Sequence, residues 1–122
     1  MSLPRLPDAE LMIMNIVWRA GGEITSTEIA EMLEGQKDWG VTTILTFLSR
    51  LVERKFLTVR KRGRANVYKP LVIEADYVKS ESKSFLSRLH ANSLTSLVAS
   101  LYDGDAITKN DLDELKAFID RR

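Results

Sequence analysis

The chain has 122 residues, which suits one domain or two very small units. Its hydrophobic fraction of 44% is ordinary for a globular protein and argues against disorder, while its formal net charge of +1 gives no indication of a polyanionic partner. The absence of cysteine excludes a disulfide framework, and a single histidine, His90, argues strongly against a zinc site.

Segments that would direct the chain to a membrane are missing from the sequence. No apolar run approaches the roughly 20 residues of a membrane span, and the N-terminus has no signal-peptide core. The lack of disulfides also fits a reducing compartment. We therefore expect a cytoplasmic protein with no membrane partner.

Two helices are predicted in the first third of the chain. The first begins after Leu6-Pro7, where proline and early acidic residues favour a helix start, and it ends at Gly21-Gly22. Glu23 to Thr25 is predicted to be a short extended link. Thr25 to Glu28, "TSTE", is a capping box that starts the second helix, and Gly35 ends it.

A third helix and a β-hairpin follow. The helix is marked by apolar residues at helical spacing, namely Val41, Ile44, Leu45, Leu48, Leu51 and Val52. Phe56 to Arg60 and Ala65 to Lys69 are predicted strands, joined by a turn around Gly63 and ended by Pro70.

The composition changes after Pro70. Glu74 to Tyr102 contains no glycine or proline and is predicted to be helical, with a break near Asn92-Ser93. Asp103-Gly104-Asp105 is a turn, and Thr108 to Asp111 caps a last helix.

The order of these elements is that of a winged helix-turn-helix followed by further helices. The fold class predicted is mainly α with a small β-hairpin wing, plus a C-terminal helical dimerisation region. We assign residues 1–72 to a DNA-binding domain and residues 73–122 to a dimerisation domain.

The polar face of the third helix suits the major groove of DNA. Thr42, Thr43, Thr46 and Arg50 fall opposite the apolar stripe. A threonine offers a methyl and a hydroxyl to base edges, and an arginine can bind guanine or a phosphate. The alternative is an ordinary solvated face, but threonine is a weak helix former that stability alone does not favour there.

The hairpin is strongly basic although the whole chain is not. Between Arg50 and Lys69 there are eight basic residues and one acid, Glu53. Lys61, Arg62 and Arg64 at the tip can reach phosphates or a minor groove. An edge hairpin kept soluble by charge is the alternative, but it does not require one sign of charge.

The two C-terminal helices carry more apolar surface than they can bury alone, which predicts a homodimer. The residues we assign to dimerisation are Phe85, Leu86, Leu89, Leu97, Leu101, Leu112, Leu115 and Ile119.

No catalytic constellation is recognisable, so no enzyme activity, metal or cofactor is predicted. The main rival function is a winged helix used for protein contact or assembly, without sequence-specific DNA binding.

The chain resembles the penicillinase repressor family, which also contains methicillin-resistance and copper-responsive repressors. The run T-T-[VI]-x-T-x-L-x-R-L of that family is matched by Thr42, Thr43, Ile44, Thr46, Leu48, Arg50 and Leu51. The run G-R-x-x-x-Y-x-P is matched by Gly63, Arg64, Tyr68 and Pro70. Further matching segments are "LPDAELMIMNIVW", "TSTEIAEML" and "SKSFLSRL".

The resemblance implies a bacterial homodimeric repressor whose third helix enters the major groove of a near-palindromic operator, controlling a β-lactam-resistance-like or stress operon. The copper branch carries a cysteine-rich motif, so metal sensing of that kind is not expected here. The β-lactam branch is inactivated by a sensor-protease that cuts an Asn-Phe bond. The aligned position here is Ser100-Leu101, which leaves open cleavage at another bond or release by another route.

Overall fold

The computed structural model describes residues 2–122 and contains six helices and three short strands within them. The mainly α fold with a β-hairpin wing is confirmed. The elements are α1 Asp8–Ala20, β1 Ile24–Thr25, α2 Ser26–Leu33, α3 Val41–Glu53, β2 Leu57–Arg62, β3 Ala65–Pro70, α4 Glu74–His90, α5 Leu94–Asp103 and α6 Lys109–Asp120. Across the described residues, none of the helices combines the length and apolarity needed to cross a membrane.

Local capping interactions begin and end the helices where the sequence predicts. The Thr25 hydroxyl accepts a hydrogen bond from the Glu28 amide, and the Glu28 carboxylate accepts one from the Thr25 amide, both at 3.1 Å. Thr108 and Asp111 form the same reciprocal pair before α6. Gly21 ends α1 in the left-handed conformation, which glycine adopts without steric cost.

The end of α3 uses a lysine where a glycine would be expected. The Phe56 amide bonds to the Leu51 carbonyl at 2.9 Å and the Lys55 amide to the Val52 carbonyl at 3.1 Å. These two bonds define a Schellman motif, with Lys55 in the left-handed conformation at φ 66°. The motif turns the chain sharply from α3 into the wing.

The three strands form one antiparallel sheet in the order β1-β3-β2. Ile24 of β1 pairs with Tyr68, and Arg62 of β2 pairs with Ala65, which leaves Gly63 and Arg64 as a two-residue turn. Gly63 has φ 63° while Arg64 does not have a positive φ, as in a type II′ hairpin turn.

The hydrophobic core lies among α1, α2, α3, the sheet and the start of α4. Its buried members are Leu6, Ile13, Met14, Val17, Ile24, Ile29, Leu33, Ile44, Leu48, Leu51, Phe56, Leu57, Tyr68 and Tyr77. Val41, which was predicted to belong to the apolar stripe of α3, is instead 68% exposed, and Met32 of α2 is 48% exposed. Val41 is the first residue of α3, and Met32 lies roughly 60° around α2 from Ile29, at the edge of the buried stripe.

The described chain forms two compact units, one that extends to Ser80 and one from Glu81 to Arg122. The first turns of α4 belong to the first unit, because the Tyr77 hydroxyl accepts a hydrogen bond from the Leu6 amide and the Ser80 hydroxyl accepts one from the Leu3 amide. The domain boundary after residue 72 stays a prediction.

Candidate nucleic-acid interface

Helix α3 presents the predicted face to solvent. Thr42, Thr43, Thr46 and Arg50 are all exposed, while Ile44, Leu48 and Leu51 on the other side are buried in the core. The buried stripe fixes the rotation of the helix about its axis. The threonines and Arg50 are therefore displayed together, on the outer face of a helix narrow enough for the major groove.

Thr46 has its hydroxyl hydrogen already engaged. Its Oγ1 donates to the Thr42 carbonyl at 2.9 Å, one turn back along α3. This i to i−4 bond leaves the methyl group and the lone pairs of the hydroxyl available outward. In this arrangement Thr46 can contact a thymine methyl or accept a hydrogen bond from a base, but its hydroxyl does not donate to one.

Two of the eight basic residues in the Arg50 to Lys69 segment are held by carboxylates. Arg54 forms an ion pair with Glu10, whose side chain is only 1% exposed. Arg60 binds Glu23 through two hydrogen bonds, Nε to Oε2 at 2.8 Å and Nη2 to Oε1 at 2.9 Å. Sequence reasoning missed both pairs, because the partners are 44 and 37 residues apart along the chain.

The predicted phosphate contacts at the wing tip remain available. Lys61, Arg62 and Arg64 are exposed, and none of them forms an ion pair with any residue from 2 to 122. The same holds for Arg50 on α3. Alternation along β2 puts Lys61 and Arg62 on opposite faces of the hairpin, so the tip carries cations on both sides.

The electrostatics of the wing follow from these contacts. The hydrogen bond from Arg60 lowers the pKa of Glu23, and the charges of Arg62 and Lys69 lower it further. Hydrogen bonds from Thr25 lower the pKa of Glu28. Both carboxylates are thus ionised at neutral pH, and Glu23 offsets the charge of Arg60.

A shallow groove of about 290 Å³ separates α3 from the wing. It is lined by Ser49, Val52, Glu53, Val59, Asn66 and Tyr68. Tyr68 is buried, and burial raises the pKa of its hydroxyl, although a hydrogen bond with Asn66 opposes that shift. Tyr68 and Asn66 therefore contribute to the packing and side-chain pairing of the hairpin.

The predicted dimerisation residues lie in the second unit, where no residue from Glu81 to Arg122 is buried. Leu89 and Ile119 are 65% and 56% exposed. Part of the set borders an apolar groove of about 410 Å³ between α5 and α6, whose lining includes Leu94, Val98, Tyr102, Leu112, Leu115 and Ile119. By itself this unit has too little core to hold three helical segments together.

Groups of acidic and histidine side chains that could hold a metal ion are not found among residues 2–122. His90 faces Ser96, with 3.0 Å between its Nδ1 and the serine Oγ.

A winged helix-turn-helix with an exposed Thr and Arg helix face and a basic wing tip that is unpaired within residues 2–122 defines the class of DNA-binding transcriptional regulators. A family model described as penicillinase repressor matches residues 6–121. The chain belongs to the penicillinase repressor family. Its members are transcriptional repressors and not enzymes.

Relatives and solved structures agree with this assignment. The penicillinase repressor of Bacillus licheniformis is 34% identical over 113 residues, covering 93% of this chain and 88% of that protein. The methicillin resistance regulatory protein MecI of Staphylococcus aureus strain N315 is 27% identical over 117 residues, covering 96% and 94%. The solution structure of monomeric B. licheniformis BlaI in complex with the blaP half-operator matches with a TM-score of 0.53 and 36% identity, covering 62% of this chain and 92% of that one. The chain is thus a DNA-binding repressor.

Proposed function

We propose that this repressor binds a near-palindromic operator as a homodimer and prevents transcription by occupying the promoter. In this proposal α3 enters the major groove, where Thr42, Thr43, Thr46 and Arg50 contact base edges. Lys61, Arg62 and Arg64 of the wing neutralise phosphates. Cations on both faces of the hairpin tip suit a wing that lies between the two phosphate backbones of a minor groove.

One observation carries the proposal. The segment from Arg50 to Lys69 engages Arg54 and Arg60 in ion pairs but leaves the cations of α3 and of the wing tip exposed and unpaired within the described chain. Exposed cations of one sign attract a polyanion. The related BlaI structure with a half-operator supports the view that one winged-helix unit serves one half-site.

The homodimer is supported by the second unit. Its apolar residues, including Leu89, Leu94 and Ile119, are more than half exposed. A second copy of the chain would cover them, and two recognition helices on one DNA face would then reach half-sites about one helical turn apart.

The proposed operon and release mechanism are supported by the relatives and not by features of this chain. The names of the relatives support an operon of the β-lactam-resistance type, with a stress operon as the alternative. A sensor-protease is the proposed inactivating partner. None of the four asparagines is followed by phenylalanine, so such a protease would cut a bond of different sequence. Operator binding would take place in the bacterial cytoplasm.

The decisive experiment is an unbiased selection of genomic DNA fragments on the purified protein near physiological salt. The expected result is an enriched near-palindrome with half-sites about one turn apart, which also identifies the regulated genes. No enrichment by an intact dimer would refute sequence-specific repression and favour the protein-contact function.

Light scattering at micromolar concentration tests the dimer. Leu115→Asp, in the apolar groove, should shift the mass to one chain, because it places a charge in the interface. Ala117→Asp is the matched control, since it adds the same charge roughly 200° around α6. A single-chain mass for the unaltered protein would contradict the proposal.

A further inference from the structure

The outer strands of the sheet are linked across β3 by side chains of one face. Val67 pairs with Thr25 of β1 on one side and with Arg60 of β2 on the other. Residues directly opposite each other in antiparallel strands share a face, and alternate residues along a strand do so too. Thr25, Val67 and Arg60 therefore lie on one face, and Glu23, two residues before Thr25, continues it.

The Glu23 and Arg60 side chains meet over this face. The guanidinium donates two near-parallel hydrogen bonds to the carboxylate, at 2.8 and 2.9 Å. Such a bidentate pair fixes the direction of both side chains and not only their separation. Val67, the register partner of Arg60, is 1% exposed although its neighbour Lys69 on the same strand face is exposed.

Strand β2 pairs with β3 along its whole length, but few of its own side chains pack against the core. Leu57 is its only buried residue, and every residue from Thr58 to Arg62 is exposed. The outer part of β2 is therefore joined to the core through its pairing with β3, and its own exposed side chains add no buried contact that would fix its angle. Glu23, in contrast, lies close to Thr25, which caps α2, and Ile29 and Leu33 of α2 are buried in the same core as α3.

We propose that Glu23 is a positioning residue for the wing, which acts through Arg60 to hold the tip at one angle relative to α3. The pair also keeps Arg60 away from phosphates, so Arg60 is not a DNA contact. This inference rests on the proposed operator binding. Operator recognition requires the wing and α3 to meet the duplex together, so a fixed angle favours the cognate geometry over random DNA.

Replacing Glu23 should change affinity and specificity in opposite directions. Glu23→Gln removes a negative charge and releases Arg60 to bind a phosphate. Binding to random DNA should strengthen, and the slope of log affinity against log salt should become steeper by about 0.9. Preference for the operator should fall at the same time, because the wing is no longer held. A carboxylate that acts only through its charge would strengthen both complexes equally.

The experiment measures the affinity of the full-length protein for the selected operator and for a random duplex of equal length across a salt series. Glu23→Gln should lower the ratio of the two affinities about fivefold, the upper range for exposed pairs. Arg60→Gln should lower it similarly without the steeper slope. The double exchange Glu23→Arg with Arg60→Glu restores the pair and should restore the ratio.

The control is Glu31→Gln, which removes one exposed carboxylate of α2 that forms no ion pair with residues 2–122. Its ratio should not change. An unchanged ratio in Glu23→Gln would overturn the inference, as would a double exchange that fails to restore it.

A measurement without DNA separates this inference from the proposed function. Amide hydrogen exchange of residues 61–64 should be faster in Glu23→Gln than in the parent protein, whether or not an operator exists. Equal exchange rates would contradict the positioning role. The parent protein could exchange these amides more slowly than Glu23→Gln and yet show no preference for any operator. That result would overturn the proposed function and the specificity part of the inference. It would still establish that the Glu23–Arg60 pair holds the wing.

Discussion

Thr46 provides the sharpest test of base reading by α3. Thr46→Ala removes the outward methyl group and the hydroxyl, whose hydrogen is bound to the Thr42 carbonyl at 2.9 Å. Thr46 is exposed and is not a member of the hydrophobic core. Alanine is also the better helix former by a few tenths of a kcal/mol, so the variant should fold at least as well as its parent.

The expected loss appears only on the cognate site. A base contact is worth about 1–3 kcal/mol of discrimination, or roughly 5- to 150-fold in relative affinity. Because the hydroxyl hydrogen is engaged, we expect the methyl to carry most of this loss. Thr46→Val, which keeps a methyl at that position, should then retain more of the operator preference than Thr46→Ser, which keeps the hydroxyl.

Fluorescence anisotropy with the selected operator and a random duplex measures both affinities. Thr58→Ala, the same deletion at an exposed position on β2, is the control and should change neither. Equal losses on operator and random DNA for Thr46→Ala would refute the base-reading role. Full retention of preference by Thr46→Ser, with loss in Thr46→Val, would instead assign the contact to the hydroxyl.

Three further predictions concern the wing tip, the end of α3 and the cap of α2. Arg62→Ala should weaken binding to all duplexes and reduce the slope of log affinity against log salt by about one unit. An unchanged slope would show that Arg62 does not contact a phosphate. Lys55→Gly should raise the free energy of unfolding by about 1 kcal/mol, because glycine adopts the left-handed φ of 66° without strain. Urea denaturation measures this free energy. An unchanged value would contradict the argument that Lys55 is strained. Glu28 has a pKa held below its ordinary value of 4.5, so its stabilising effect is present above that value and is lost as pH falls through the lower one. The difference in urea midpoint between the parent and Glu28→Gln should therefore shrink as the pH falls below 4.5, and a constant difference would show that the capping carboxylate is not the titrating group.

Helix starts, helix ends and the wing turn were predictable because each depends on a few neighbouring residues. Thr25 with Glu28, Thr108 with Asp111, and Gly63 in the hairpin turn satisfy their backbone partners within three residues. The exposed face of α3 was predictable for a related reason, since a regular apolar stripe leaves only one side of the helix for Thr42, Thr43 and Thr46.

Which cations are free was decided by the tertiary structure. By sequence, Arg54 and Arg60 are equivalent to Arg50 and Arg62, yet Glu10 and Glu23 engage the first two from 44 and 37 residues away. The exposure of Val41, the first residue of α3, and of Met32, at the edge of the buried stripe of α2, likewise depends on how far neighbouring elements cover these helices. The sequence by itself determined the elements, the helix face and the basic composition of the wing, because these arise from short-range patterns. Only the tertiary structure decided which charged side chains form ion pairs and which apolar residues are buried. Both depend on contacts between segments that are distant in the sequence, and such contacts leave no periodic pattern in the chain.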